Sequence, residues 1–289
     1  MYTVDYYMEP SSLDEAVQYL QKQPHAKVIA GGTDLLLRMA KNKNDNMTLL
    51  SLKKISGLTG IHQEGESLFI GSLVTFHDLQ TSSLVKEICD VLKTAADYVA
   101  GPQIRNVATI GGNLCNGAPS ADSAPALLAL DARLHIYGPQ GLRIASIEDF
   151  YLGPKKVDLQ SAEILQAIEI PITDSSRCNT HYIKYSVRKT MDISMLGCAA
   201  FVCMDQDEQI EKIRIALGTA APTPMRCKAA ENFAIGKKLS SNVLYDIGEL
   251  AAKEAKPRTS WRASEELRTY LVRELSQRAI RVAAYKIGR

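Results

Sequence analysis

The chain has 289 residues, 46% of them hydrophobic and 23% charged, with a formal net charge of only +2. That balance is ordinary for a globular protein of two or three domains. Its Lys and Arg are spread along the chain and leave no electrostatic footprint for nucleic acid, and no apolar run reaches the roughly 18 residues that a membrane span requires.

The start, Met1-Tyr2-Thr3-Val4-Asp5, lacks the charged and apolar regions of a signal peptide. The cytoplasm is the expected compartment. Ser11 or Ser12 opens a helix over Leu13 to Gln21, with Leu13, Ala16, Val17 and Leu20 at helical spacing. Lys27-Val28-Ile29-Ala30 reads as a short buried strand. It runs into Gly31-Gly32-Thr33-Asp34, and Leu35 to Ala40 follows as a helix with Thr33 or Asp34 as its N-cap. Glycine lets a backbone approach a ligand closely and turn at positive φ, leaving N–H groups as donors for phosphate. Neither of the two common phosphate fingerprints is present. Read alone, this pair fits a tight turn with no ligand.

Leu49 to Leu52 and Ser67 to Ile70 read as strands, Thr75 as a helix cap, and Cys89 to Val99 as a helix with Val91, Leu92, Ala95, Ala96 and Val99 on one face. A second glycine pair follows in the unusual stretch from Ala100 to Pro125, which contains Thr109-Ile110-Gly111-Gly112-Asn113. This stretch is poor in charge and keeps Ile104, Val107, Ile110 and Leu114, so it reads as packed rather than disordered. Asn113, Asn116, Ser120 and Asp122 suit a wall facing a polyhydroxylated ligand. A buried crossover satisfied by its own side chains is the competing reading. Two such pairs together suggest a ligand with two phosphates held between two loops.

Ala124 to Leu130 then reads as a short apolar helix, Arg133 to Tyr137 with Leu142 to Ala145 as a hairpin, and Glu163 to Ile170 as a strand stopping at Pro171. A polar turn at Asp174-Ser175-Ser176 marks a boundary. Beyond it come strand-like runs at Tyr182 to Val187, Met195 to Met204 and Ile210 to Leu217. Helices at Asn242 to Ala255 and Ala263 to Ile287 complete a separate α+β unit. The domains expected are 1–175, in two lobes of about 1–55 and 56–175, and 180–289. The six cysteines are scattered without a C-x-x-C and read as free thiols with no cluster site. The five isolated histidines suggest no ligand set or catalytic base. No metal site is expected.

The segments Ala30 to Asp34 and Gly101 to Asn113, with Ser120-Ala121-Asp122 after them, resemble the FAD-binding medium subunits of the molybdenum hydroxylases. The likeness extends to Ala221-Pro222-Thr223-Pro224 and Ser260-Trp261-Arg262. Asn113 to Ala118 and Met191-Asp192-Ile193-Ser194 resemble the separate FAD subunits of bacterial xanthine dehydrogenases. The resemblance implies an α+β fold: a bipartite FAD-binding domain of the vanillyl-alcohol-oxidase/PCMH type, then a smaller α+β C-terminal domain. It implies FAD held along Val28, Ile29, Ala30, Gly31, Gly32, Thr33, Asp34 and Leu35 and along Thr109, Ile110, Gly111, Gly112 and Asn113. Asp122 would accept from ribityl hydroxyls, Val99 and Leu165 would flank the adenine, and Lys184 would stand near the flavin end. Asp34 is an awkward neighbour for an anion, so its carboxylate is expected to turn away and cap the helix.

Read alone, the segment from Lys184 to Ile193 is a solvated charged loop with Arg188 and Lys189; the resemblance implies that it borders the nicotinamide entry and makes Lys184 and Asp192 the residues expected to act in catalysis. Cys115 is the only tethering candidate near the glycine segments, and the FAD is expected to be non-covalent. Electrons would arrive from 2Fe–2S clusters on a small partner and leave to NAD+, with molybdopterin on a large partner. Purine is the expected substrate, and nicotinate or another heteroaromatic is the alternative. A self-contained flavin oxidase or reductase and a structural nucleotide-binding subunit are the competing functions.

Overall fold

The computed structural model describes residues 4–41, 47–173 and 176–287. Asp174 and Ser175 of the expected boundary turn lie outside the described residues.

The first lobe is a three-stranded parallel sheet in the order Val4–Met8, Met47–Ser51, Lys27–Ile29. Parallel neighbours require crossovers, and helices Leu13–Lys22 and Leu35–Lys41 lie in the connections. Ser12 caps the first of these by accepting from the Glu15 N–H, and Ala16, Val17 and Leu20 are buried with Leu50, Leu52 and Leu58. The expected buried strand is only half right. Lys27–Ile29 is a strand, but it sits at the sheet edge and Val28 is 40% exposed. A three-residue apolar run does not distinguish burial under protein from exposure beside a cavity.

The second lobe is a five-stranded antiparallel sheet in the order Ile61–Glu64, Ser67–Gly71, Ile164–Pro171, Arg133–Gly138, Gly141–Ser146. Helices Phe76–Thr81, Ser83–Asp97 and Ser123–Ala129 pack on it. Thr75 and Asp78 form a reciprocal capping box at the start of the first. The long glycine stretch contains two short helices, Pro102–Arg105 and Ile110–Cys115. The second glycine pair therefore lies in a helical turn capped by Thr109, not in a loop. Two glycines lower local helix propensity enough to hide it.

The C-terminal unit is an antiparallel sheet in the order Cys178–Tyr185, Leu196–Met204, Ile210–Gly218, Met225–Arg226. Side chains alternate across a strand. Cys198, Ala200 and Val202 face helices Ser241–Glu254 and Glu265–Tyr285, while Ala199, Phe201 and Cys203 join the core of the second lobe. Both faces are buried, which is why Leu196–Met204 is apolar throughout. Arg214 reaches Asp131 at 3.0 Å and Lys228 reaches Glu148 at 2.8 Å, tying this unit to the second lobe.

The reading of six free thiols fails for two of them. Cys178 and Cys203 face each other in register on adjacent strands, with Cα atoms 4.0 Å apart, and form a disulfide. Twenty-five residues separate them in sequence, so spacing could not reveal the pair. Cys89, Cys115, Cys198 and Cys227 are free. No helix among the described residues is long and apolar enough to cross a membrane.

Candidate cofactor site

A cavity of about 550 Å³ lies between the two lobes and the loop before Leu196. This is within the range of a small-ligand site. Val28 to Leu35 form one wall. Thr109, Gly111, Gly112 and Asn113 form another, and Asp122, Val99, Leu165 and Asp192 complete it. Of the expected site residues, two do not line it. Ile110 is fully buried in the core, and Lys184 keeps only 3% of its side chain exposed.

The two glycine pairs meet the wall differently. A Cβ on Gly31 would lie 1.9 Å from the Val107 carbonyl oxygen, so the first segment packs directly on the backbone leading into the second. Gly32 turns at φ +74°, the left-handed region that favours glycine. The N–H groups of Gly31, Gly32, Thr33 and Asp34 make no hydrogen bond to another described residue. In the second segment the N–H groups are already used. Ile110 donates to Val74 O at 2.9 Å, Gly111 to Ser72 O at 2.9 Å, Gly112 to Thr109 Oγ1 at 3.1 Å and Asn113 to Thr109 O at 3.0 Å. The phosphate-nest expectation therefore does not hold for the second pair, because two of its amides are taken by the Ser72 and Val74 carbonyls and two by Thr109. Gly112 still presents an open face: beyond the Thr109 hydroxyl at 2.9 Å, a Cβ there would meet only Ala30 Cβ at 3.9 Å.

The expected capping of Leu35–Lys41 by Thr33 or Asp34 is also absent. Neither side chain hydrogen-bonds a described residue, and Asp34 is exposed on the cavity wall.

Asp122 is the centre of a buried network that the sequence only partly revealed. Its Oδ1 accepts from the Tyr182 hydroxyl at 2.9 Å and the Ser194 hydroxyl at 2.6 Å. Its Oδ2 accepts from Lys184 Nζ at 2.8 Å, and the same ammonium donates to Tyr98 O at 3.0 Å. Burial, then the Asp122 charge, push the Tyr182 hydroxyl well above its ordinary range. An ionised carboxylate has about four acceptor sites. Three are taken, so Asp122 retains one for a ligand. Lys184 is thus committed to Asp122. Tyr182 was within reach of sequence reasoning, because it lies two residues before Lys184 and shares its strand face. Ser194 lies in the Met191 to Ser194 segment but carries no local sign of its partner.

Asp192 closes its own loop. Its carboxylate accepts from the Arg188 and Ile193 N–H groups, each at 2.9 Å, with the Arg188 guanidinium 3.5 Å away. The Arg188 N–H is the main influence lowering its pKa. Lys184, expected in the same cluster, is instead bound to Asp122. Cys115 lines the cavity, and burial pushes its thiol up to about 12. At neutral pH it is a thiol, the less nucleophilic form.

These residues fit FAD. Free amides beside glycines that exclude a Cβ suit a pyrophosphate, apolar Val28, Val99 and Leu165 suit flat rings, and Asp122 suits a polyol.

Residues 2–173 match the FAD binding domain in molybdopterin dehydrogenase, and residues 181–283 match the CO dehydrogenase flavoprotein C-terminal domain. The chain belongs to the FAD-binding medium subunits of the molybdenum hydroxylases. This flavoprotein subunit is 40% identical to the xanthine dehydrogenase FAD-binding subunit of Escherichia coli O157:H7, over 98% of this chain and 97% of that one. It is 31% identical to the carbon monoxide dehydrogenase medium chain of Hydrogenophaga pseudoflava, over 96% of each. The solved carbon monoxide dehydrogenase from that organism superposes with a TM-score of 0.95 at 29% identity, covering 100% of both chains. Quinoline 2-oxidoreductase from Pseudomonas putida 86 gives 0.93 at 29% identity, again over 100% of both. The medium subunit thus has the expected α+β fold of a bipartite FAD-binding domain and a C-terminal domain, and it is an oxidoreductase subunit.

Proposed function

We propose that this medium subunit is the FAD-carrying component of a xanthine dehydrogenase. It would take electrons from 2Fe–2S clusters on a small subunit and deliver them to NAD+, with molybdopterin chemistry on a large subunit. The observation that supports it most is the 40% identity to a xanthine dehydrogenase FAD-binding subunit over nearly the whole chain. FAD, bound without a covalent tether, would supply the redox chemistry. The protein's part is binding, orientation and exclusion of water.

The free N–H groups of Gly31 to Asp34 would face the pyrophosphate, with Thr109 and Gly111 to Asn113 supplying the opposite wall. The remaining acceptor site of Asp122 would hold a ribityl hydroxyl, and Val99 with Leu165 would border the adenine. Lys184 would act through Asp122, holding its carboxylate in place at 2.8 Å. Asp192, by closing the loop from Arg188 to Ile193, would shape the nicotinamide entrance. Residues 1–175 form the proposed FAD-binding domain and 180–289 the C-terminal one, and the cytoplasm remains the proposed compartment.

Acid precipitation of the purified flavoprotein should leave yellow FAD in the supernatant and none on the pellet. The isolated subunit should oxidise NADH with an artificial dye, and the two partner chains should restore xanthine-dependent NAD+ reduction. Purine oxidation by the isolated chain would overturn the assignment. Reduction driven by nicotinate but not xanthine in the reassembled enzyme would move the substrate and leave the subunit role intact.

A further inference from the structure

The cavity wall has an uneven charge census. Four carboxylates border it: Asp34, Asp122, Glu163 and Asp192. Three are matched. Asp122 has Lys184 at 2.8 Å, Glu163 has Arg143 at 2.7 Å, and Asp192 has Arg188 and two backbone amides. Asp34 makes no ion pair with a described residue. An anion entering beside Asp34 would be repelled unless a cation stood nearby.

One basic side chain lines the cavity among the described residues, and it is Arg38. It lies on helix Leu35–Lys41, immediately after the first glycine turn, and its backbone N–H donates to Asp34 O at 3.2 Å. No carboxylate of a described residue pairs with its guanidinium. Among the described residues its side-chain partner is Asn116 across the cavity, whose Oδ1 accepts from Nη2 at 3.4 Å. A guanidinium has donors and no acceptor. Asn116 must therefore turn its carbonyl oxygen toward Arg38, which leaves its amide NH₂ as a further donor. Arg38 and Asn116 come from opposite walls and together offer a set made only of donors.

We infer that Arg38, oriented by Asn116, is the counter-ion for the pyrophosphate of the bound dinucleotide, and that it offsets the adverse charge of Asp34. The inference rests on the FAD reading above. FAD carries two negative charges on its pyrophosphate. A guanidinium suits such oxygens because its donors form a planar fork. The long Arg38 side chain is exposed.

The test is a titration of the flavin-stripped full chain with FAD, followed by flavin fluorescence, at low and high salt. R38Q should weaken FAD binding by roughly tenfold or more and flatten its salt dependence. R38K should lie between R38Q and wild type, R38E should fall below R38Q, and N116A should weaken binding less than R38Q. The unfolding midpoint of the stripped protein should stay at the wild-type value in R38Q, because Arg38 is exposed. Wild-type affinity and salt slope in R38Q would overturn the inference. Equal losses in R38K and R38Q with an unchanged slope would overturn it too, since the charge would then not be what matters. Failure of the wild-type chain to take up FAD at any salt would overturn the cofactor reading itself.

Discussion

The two glycine pairs look alike in sequence and do different work in the fold. In each, the first glycine is pressed against another backbone: Gly31 against Val107, and Gly111 against Ser72, where a Cβ would lie 2.6 Å from both its side chain and its carbonyl oxygen. All four glycines line the cavity. What separates them is the fate of the amides. The first segment leaves the N–H groups of Gly31 to Asp34 without a partner among the described residues, while the second gives those of Ile110 and Gly111 to Val74 and Ser72 and those of Gly112 and Asn113 to Thr109. A glycine pair therefore signals close approach, and only the hydrogen-bond pattern shows whether a ligand or the protein itself is approached.

The sharpest test of that distinction is to replace the packed glycines. Gly31→Val and Gly111→Val should cost the fold itself, on the order of 3 kcal/mol or more, because the obstructing atoms are backbone and cannot move aside alone. Urea unfolding of the flavin-free chain measures this directly. A wild-type midpoint with loss of FAD would show that these glycines serve the ligand after all.

Asp122 extends the comparison to the far end of the second segment. Its partner Lys184 is almost wholly buried, so Asp122→Ala should strand an ammonium and destabilise by about 3–5 kcal/mol. That exceeds the loss of a single ribityl hydrogen bond, worth about 1.5–3 kcal/mol. The double variant with Lys184→Met should recover much of the stability without recovering FAD affinity. If Asp122→Ala alone keeps full stability, the buried pair contributes little and Asp122 acts only on the ligand.

Gly112 should show the opposite balance, and Gly32 a mixture of the two. Gly112→Val should lower FAD content severely while moving the flavin-free midpoint less than Gly111→Val does, because apart from the Thr109 hydroxyl at 2.9 Å a Cβ there meets no close atom. Gly32→Ala should do both: about 1–2 kcal/mol lost to the left-handed backbone, and weaker FAD. Equal flavin content in both variants and the wild type would remove the first segment from the pyrophosphate site.

What was legible followed from local chemistry. Ser12 and Thr75 announced their helices because a cap and its N–H partner lie three residues apart. Both glycine pairs signalled close backbone approach, and the resemblance pointed to Val28 to Leu35 and Gly112, which line the cavity. What was hidden depends on distance along the chain. The Asp122–Lys184 pair spans 62 residues, the Cys178–Cys203 bond 25, and Arg38 meets Asn116 across 78. None leaves a spacing or a composition signature. The helical turn at Ile110–Cys115 was masked by the very glycines that drew attention to it.

The smallest expected effect separates the cofactor wall from the loop beside it. Asp192 has a folded pKa below its ordinary value of 3.8, chiefly through the Arg188 N–H. Its stabilising contribution is therefore present above that value and lost as pH falls through the folded one. The amides of Arg188 and Ile193 should be protected from hydrogen exchange at pH 6 and lose protection, corrected for intrinsic rates, as the solution is taken below the ordinary aspartate range. The N–H groups of Gly31 to Asp34 do not touch Asp192, so FAD content should outlast the loop's order during the descent. Asp192→Ala separates this from general acid unfolding: at neutral pH it should release the same two amides and leave flavin content near wild type. It should also slow NADH oxidation by dye, if the closed loop shapes the nicotinamide entrance. Unchanged protection in that variant would show that the loop is held by something other than its carboxylate, and a normal NADH rate would remove it from the entrance.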